Sequence, residues 1–108
     1  MTLAKIFTLP EKYTLRQNYP NPFNPITTFM YDLPEESYVT LTIYNLNGRE
    51  INRIVNINQP AGHKSVVWDA TDYFGKSISA GVYLYQIQAR RSGQTGEFVQ
   101  TRKMVLLK

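Results

Sequence analysis

The sequence predicts an all-β fold, an immunoglobulin-like β-sandwich of about seven antiparallel strands, on three observations. Short runs with a two-residue apolar period recur from Thr27 to Leu107. Turn formers separate these runs at regular intervals. Aromatics are abundant, with 8 Tyr and 5 Phe in 108 residues, and neither helical periodicity nor an internal repeat is present. A chain of this length forms one domain that buries about two thirds of its unfolded surface.

Residues 1–12 read as a lead-in from a preceding domain, with Leu3, Ile6, Phe7 and Leu9 as its apolar residues, and 13–108 as the sandwich. Tyr13 to Gln17 alternates and enters a proline-rich stretch, Asn18-Tyr19-Pro20-Asn21-Pro22-Phe23-Asn24-Pro25. Three prolines remove three amide donors, so no central strand or helix runs through it. At the three-residue period of polyproline II, Asn18, Asn21 and Asn24 share an amide edge, and Pro20, Phe23 and Ile26 an apolar rail. Such a segment is suited to lie against a sheet and close the fold.

Ile26 to Leu33 places Thr27, Phe29, Tyr31 and Leu33 on one face. After a turn at Pro34–Ser37, Tyr38 to Asn45 sends Val39, Leu41 and Ile43 inward and Thr40, Thr42 and Tyr44 outward. Asn47-Gly48 is a hairpin turn, since both residues tolerate positive φ. The return strand, Glu50 to Val55, has Ile51 and Ile54 out of phase, which predicts a bulge or an edge. Beyond the Gln59–Gly62 turn, Lys64 to Asp69 carries Val66 and Trp68, the latter expected in the core. A long connection, Thr71 to Gly81, leads into Val82 to Ala89. Tyr83, Tyr85, Ile87 and Ala89 take one face there, and Val82 and Leu84 cover the other. Gly81 supplies permissive φ at the entry. A loop at Ser92–Gly96 precedes the last strand, Glu97 to Leu107.

Composition narrows function. There is no cysteine, hence no disulfide or thiolate metal site. The net charge of +4 is dispersed from Lys5 to Lys108 without any nucleic-acid motif, so no nucleic-acid partner is expected. No run reaches the roughly 18 apolar residues of a membrane span, and no signal-peptide block opens the chain. Asp69 and Asp72 near Gly75 lack the spacing of a calcium loop and read as turn caps. His63 reads as a surface residue without metal-ligating companions, Glu35 and Glu36 as splayed turn residues. Ser65, Ser77 and Ser79 have no oxyanion motif around them. The expectation is a protein that is not an enzyme and needs no cofactor or metal. Tyr38, Tyr44, Tyr73 and Phe74, if exposed together, would instead make an aromatic platform. The alternative is therefore a non-catalytic carbohydrate- or protein-binding accessory module of a secreted enzyme.

Five stretches taken together carry a family resemblance. They are Gln17 to Pro25, Ile43-Tyr44-Asn45-Leu46-Asn47-Gly48, Ala61-Gly62 leading to Trp68-Asp69, Ala80 to Tyr85, and the terminus Thr101 to Lys108. In this order the chain, from Leu9 to Lys108, resembles the type A C-terminal sorting domain of proteins exported by the type IX (Por) secretion system. Its middle section is similar to the immunoglobulin-like domain of flagellar hook-capping proteins. One departure is Ala70, where the related domains often have glycine after Trp-Asp.

The resemblance implies an address label at the C-terminus of a larger cargo, in the periplasm in transit and then at the cell surface or outside. Its implied partners are the N-terminal cargo domain, the outer-membrane type IX translocon and a sortase-like peptidase. That peptidase cleaves at or before residues 1–12, and attachment to anionic lipopolysaccharide can follow. The expected recognition element is Arg102, Lys103, Met104, Val105, Leu106, Leu107 and Lys108, offered to the machinery as a strand for augmentation. Removing it is expected to leave the remaining domain folded. Asn18, Pro20, Asn21, Pro22, Phe23, Asn24, Pro25, Gly48, Trp68, Gly81 and Tyr83 are expected to be structural.

Overall fold

The computed structural model describes residues 8–107; Leu3, Ile6, Phe7 and Lys108 lie outside them. Seven strands follow in order: β1 (Thr14–Leu15), β2 (Thr27–Leu33), β3 (Ser37–Asn45), β4 (Glu50–Gln59), β5 (Gly62–Trp68), β6 (Gly81–Arg91) and β7 (Phe98–Leu106). They form two antiparallel sheets, β1-β2-β5 and β4-β3-β6-β7. The predicted immunoglobulin-like sandwich is what the chain adopts.

Alternation decides the core. Phe29, Tyr31 and Leu33 from β2 meet Val39, Leu41 and Ile43 from β3, Tyr85 and Ile87 from β6, and Met104 and Leu106 from β7, all fully buried. Trp68 is buried as expected, with its ring 6.1 Å from those of Phe23 and Phe29 and its indole N–H donating to the Thr71 carbonyl at 3.1 Å. Buried polar atoms are partnered: the Tyr31 hydroxyl donates to Gln59 Oε1 at 2.6 Å. Burial pushes the Tyr31 phenol up, against the opposing pull of that bond.

The Asn47-Gly48 turn forms, with Gly48 at φ +85° and its amide donating to the Asn45 carbonyl at 3.0 Å. Space around a Cβ there is open, so the backbone conformation alone selects glycine. The out-of-phase residues of β4 have both predicted causes: the strand is an edge, and its register against β3 shifts twice. It also runs on to Gln59, because the polar stretch Asn56–Asn58 pairs with Tyr38–Thr40.

Two outward assignments change. Thr42 is buried, since β3 is central and Thr42 sits between its Cα partners Arg53 and Gln86. Val82 and Leu84, expected to be covered, are only half buried.

β4 and β5 are the outer strands of their sheets on one side, where the β5–β6 connection reaches β4 through Tyr73 N to Ile51 O at 3.2 Å and Asn52 Nδ2 to Thr71 O at 2.9 Å. On the other, the residues between β1 and β2 join the sheets. The chain enters at one end, where Tyr13 stacks on Phe98 at 5.4 Å and bonds Ser37 Oγ at 2.7 Å. The β3–β4 hairpin, the β5–β6 connection, the proline stretch and Leu107 gather at the opposite end.

Candidate functional site

The terminal strand and the proline stretch form one structure. Arg16 and Tyr19 pair with β2, through Arg16 N to Met30 O at 2.9 Å and reciprocal Tyr19–Thr28 bonds at 3.0 and 2.9 Å. Four residues later the backbone belongs to the other sheet: Phe23 N donates to Val105 O at 2.9 Å, and Leu107 N donates to Phe23 O at 2.8 Å. The switch of sheet breaks the expected three-residue period. Phe23 is buried, but Pro20 and Ile26 are exposed; Asn18 is buried, whereas Asn21 and Asn24 are exposed. The stretch does lie against a sheet, as one bridging residue rather than as a polyproline rail.

Side chains complete the seam. Asn18 donates from Nδ2 to Thr27 Oγ1 at 3.0 Å and to Pro20 O at 3.2 Å, while its own amide donates to the Tyr85 hydroxyl at 2.8 Å. That hydroxyl donates in turn to Arg16 O at 2.8 Å. Burial raises the Tyr85 phenol, opposed by the Asn18 bond and by the nearby Arg102 charge. Asn21 Oδ1 accepts from Val105 N at 2.9 Å, and Gln17 Nε2 donates to Lys103 O at 3.0 Å. The outer edge of β7 is therefore taken from Lys103 to Leu107.

This redistributes the predicted recognition residues. Met104 and Leu106 are core. Arg102 is half-buried, its Nε donating to Leu15 O at 2.6 Å. Val105 is half-buried, and Lys103 and Leu107 are exposed; Lys108 is outside the described residues. Strand augmentation at 105–107 would have to displace Phe23, since a backbone edge already paired offers no ladder. Deleting Arg102–Lys108 would also strip two core side chains and half of β7, so the rest is not expected to stay folded. What the surface presents is composite: Lys103 and Leu107 beside Asn21, Pro22, Asn24 and Pro25.

The remaining assignments separate. Tyr83 is buried with its hydroxyl donating to Ser79 O at 2.7 Å, and burial raises its phenol. Gly81 lies at φ +149°, at the start of β6. Asp72 caps its turn, its Oδ1 accepting from Phe74 N and Lys76 N at 2.9 and 3.0 Å. Glu35 pairs with Arg91 and Glu36 with Asn58. The aromatic platform does not assemble whole: Tyr38 lies at the far end of β3, beside Asn58 and Arg90, whereas Tyr44, the Cα partner of Glu50, shares its end with Tyr73, whose hydroxyl bonds Glu50, and with Phe74.

Nothing in the sequence singles out Asp32. Its carboxylate is buried on the outer face of the smaller sheet and accepts from Thr14 Oγ1 at 2.5 Å, Arg16 Nη2 at 2.9 Å and His63 Nδ1 at 2.7 Å. Burial pushes this carboxyl up, yet the three bonds and the Arg16 charge outweigh it and hold the value below the ordinary one. Asp32 is the Cα partner of both Thr14 and His63, a register that no local pattern reveals.

The sequence profile of the FlgD Ig-like domain family matches residues 25–93, more than half of the chain. FlgD from P. aeruginosa is 30% identical with a TM-score of 0.59, the likeness covering 74% of this chain and 60% of that one. Dimeric latent PorU from Porphyromonas gingivalis gives a TM-score of 0.69 at 24% identity, over 88% of this chain and 9% of PorU. PorZ from the same organism, described as an essential bacterial surface component of the type IX secretion system, gives 0.55 at 17% identity, over 85% of this chain and 11% of PorZ. At these identities the last two likenesses concern the fold. This chain thus spans about a tenth of either Por protein. No curated protein matches it by direct sequence comparison.

Proposed function

The chain belongs to the FlgD Ig-like domain family, and from that premise we propose that it serves as a non-catalytic C-terminal sorting domain, exporting a larger cargo through the type IX secretion system. The fold likeness to PorU and PorZ supports this reading, PorZ being a surface component of that system. The observation that carries it is the seam between Phe23 and β7. It fixes the terminal strand at both edges, so Lys103 and Leu107 stand in constant register with the exposed rim Asn21–Pro25. A translocon reading side chains on a rigid body needs no unfolding, and pre-ordered contacts lower the entropy lost on binding. In this reading residues 1–12 lead from the cargo and hold the position at which a sortase-like peptidase acts, and the label reaches the cell surface or beyond. Cargo attachment to anionic lipopolysaccharide follows cleavage.

The test fuses the chain to a periplasmic reporter in a host with the secretion system. Lys103→Glu combined with Leu107→Asp alters only exposed side chains. Its near-ultraviolet circular dichroism is expected to match the parent while the reporter accumulates in the periplasm. Export equal to the parent's, or export of the reporter without the domain, removes the proposal.

A further inference from the structure

Tyr38 on β3 and Arg90 on β6 are Cα partners. Their neighbours Val39 and Ala89 are buried, so both side chains stand on the outer face of the four-stranded sheet. The Tyr38 hydroxyl donates to Asn56 Oδ1 at 2.7 Å. Asn56 is two residues along β4 from Asn58, the Cα partner of Tyr38. The aromatic side chain is therefore held leaning along the sheet, yet the residue stays 45% exposed. Two concavities meet at the Tyr38–Arg90 pair. One, of about 390 Å³, extends to Asn58 and to Ser92 and Gln94 on the β6–β7 loop. The other, of about 120 Å³, extends to Thr40, Gln88 and Glu97.

The groups around them favour a neutral ligand rich in hydroxyls. Tyr38 is the only exposed large apolar residue bordering either concavity, so an aliphatic side chain finds no apolar floor. Charges of both signs are interspersed: Arg91 pairs with Glu35, Asn58 bonds Glu36, and Glu97 borders the same concavity as Arg90. A ligand carrying net charge of either sign meets a like charge there. Unused hydrogen-bonding groups are also of both kinds. Arg90 and Glu97 have no side-chain hydrogen bond or ion pair among the described residues. Gln88 accepts from Thr40 Oγ1 at 3.3 Å through Oε1, which leaves its Nε2 to donate. Asn58 donates to Glu36 through Nδ2, which leaves its Oδ1 to accept. Each hydroxyl of a sugar both donates and accepts, and the C–H face of a pyranose packs on the electron-rich face of an aromatic ring. A ring already fixed in place loses little entropy on binding.

We propose that this end of the outer sheet face binds a neutral carbohydrate chain. One pyranose packs on Tyr38, its hydroxyl oxygens accepting from Arg90 and Gln88 Nε2 and its hydroxyl protons going to Asn58 Oδ1 and Glu97. None of these residues belongs to the Phe23–β7 seam or is altered in the export test, so the two readings fail independently.

The experiment titrates the isotope-labelled full chain with cellohexaose, xylohexaose, mannohexaose and maltohexaose, and with two charged counterparts, the hexamers of galacturonate and of glucosamine. A neutral hexaose is expected to shift the amides of Tyr38, Asn58, Gln88 and Arg90 saturably, and to bind at least tenfold more tightly than either charged hexamer. Tyr38→Val keeps a strand-forming residue and removes the ring; Arg90→Gln removes the guanidinium. Each is expected to weaken that binding tenfold or more while the amide spectrum elsewhere is unchanged. Phe74→Ser, an equally exposed aromatic loss on the β5–β6 connection, is expected to leave it intact. No saturable shift with any neutral hexaose, a charged hexamer bound as tightly, binding that survives both Tyr38→Val and Arg90→Gln, or binding lost with Phe74→Ser would each overturn the proposal.

Discussion

Phe23 pairs in parallel with Leu106, receiving one backbone bond from Leu107 N at 2.8 Å and giving one to Val105 O at 2.9 Å. A residue from a proline stretch thereby closes the edge of the last strand, with its ring buried against Trp68. Phe23→Ala removes that anchor and leaves a cavity, and is expected to cost about 3–5 kcal/mol. Denaturant unfolding measures the loss. Hydrogen exchange at Val105 and Leu107 should accelerate before the rest of the sheet; uniform protection would contradict the seam.

Tyr85, on β6 beside β7, ties Asn18 and Arg16 into the same seam. Tyr85→Phe keeps the ring but leaves the buried Asn18 amide without its acceptor and Arg16 O without its donor. The expected loss is about 1–3 kcal/mol, above that of an ordinary exposed hydrogen bond. Thermal unfolding checks it, and a variant as stable as the parent would show the two bonds to be immaterial.

Asp32 sets an acid dependence. Its folded value lies below the ordinary carboxylate 3.8, so the unfolded chain takes up the proton first as pH falls. The stabilisation is present above that ordinary value and is lost as pH drops through the folded one. Asp32→Asn is expected to be less stable than the parent at pH 7 and to show a flatter stability profile below about pH 4. Parallel profiles in that range would remove Asp32 as the source.

Ala70 occupies φ +62° and is buried. Ala70→Gly relieves a left-handed backbone worth about 1–2 kcal/mol. It also removes a buried methyl worth about 0.8 kcal/mol and frees the unfolded chain by about 0.4–1 kcal/mol. These nearly cancel, so unfolding is expected to change by less than about 1 kcal/mol. Ala70→Val, β-branched at positive φ, is expected to destabilise clearly.

Much of the fold was already written along the chain, because strand period and turn chemistry are local properties. Thr27–Leu33, Val39–Ile43 and Tyr83–Ala89 declare their buried faces by alternation, and Asn47-Gly48 declares its hairpin. The edge character of β4 was legible in the phase of Ile51 and Ile54. Tertiary structure alone decided which backbone edges remain free. The bonds that seal β7 join residues far apart in sequence, such as Asn21 with Val105 and Gln17 with Lys103, and no local pattern encodes them. The same holds for Asp32, which reads as one acidic residue in a strand until β1 and β5 bring Thr14, Arg16 and His63 around it. Alternation specifies which side of a strand faces the core, whereas the neighbour at its edge is fixed only when distant segments pack and satisfy each other's polar groups.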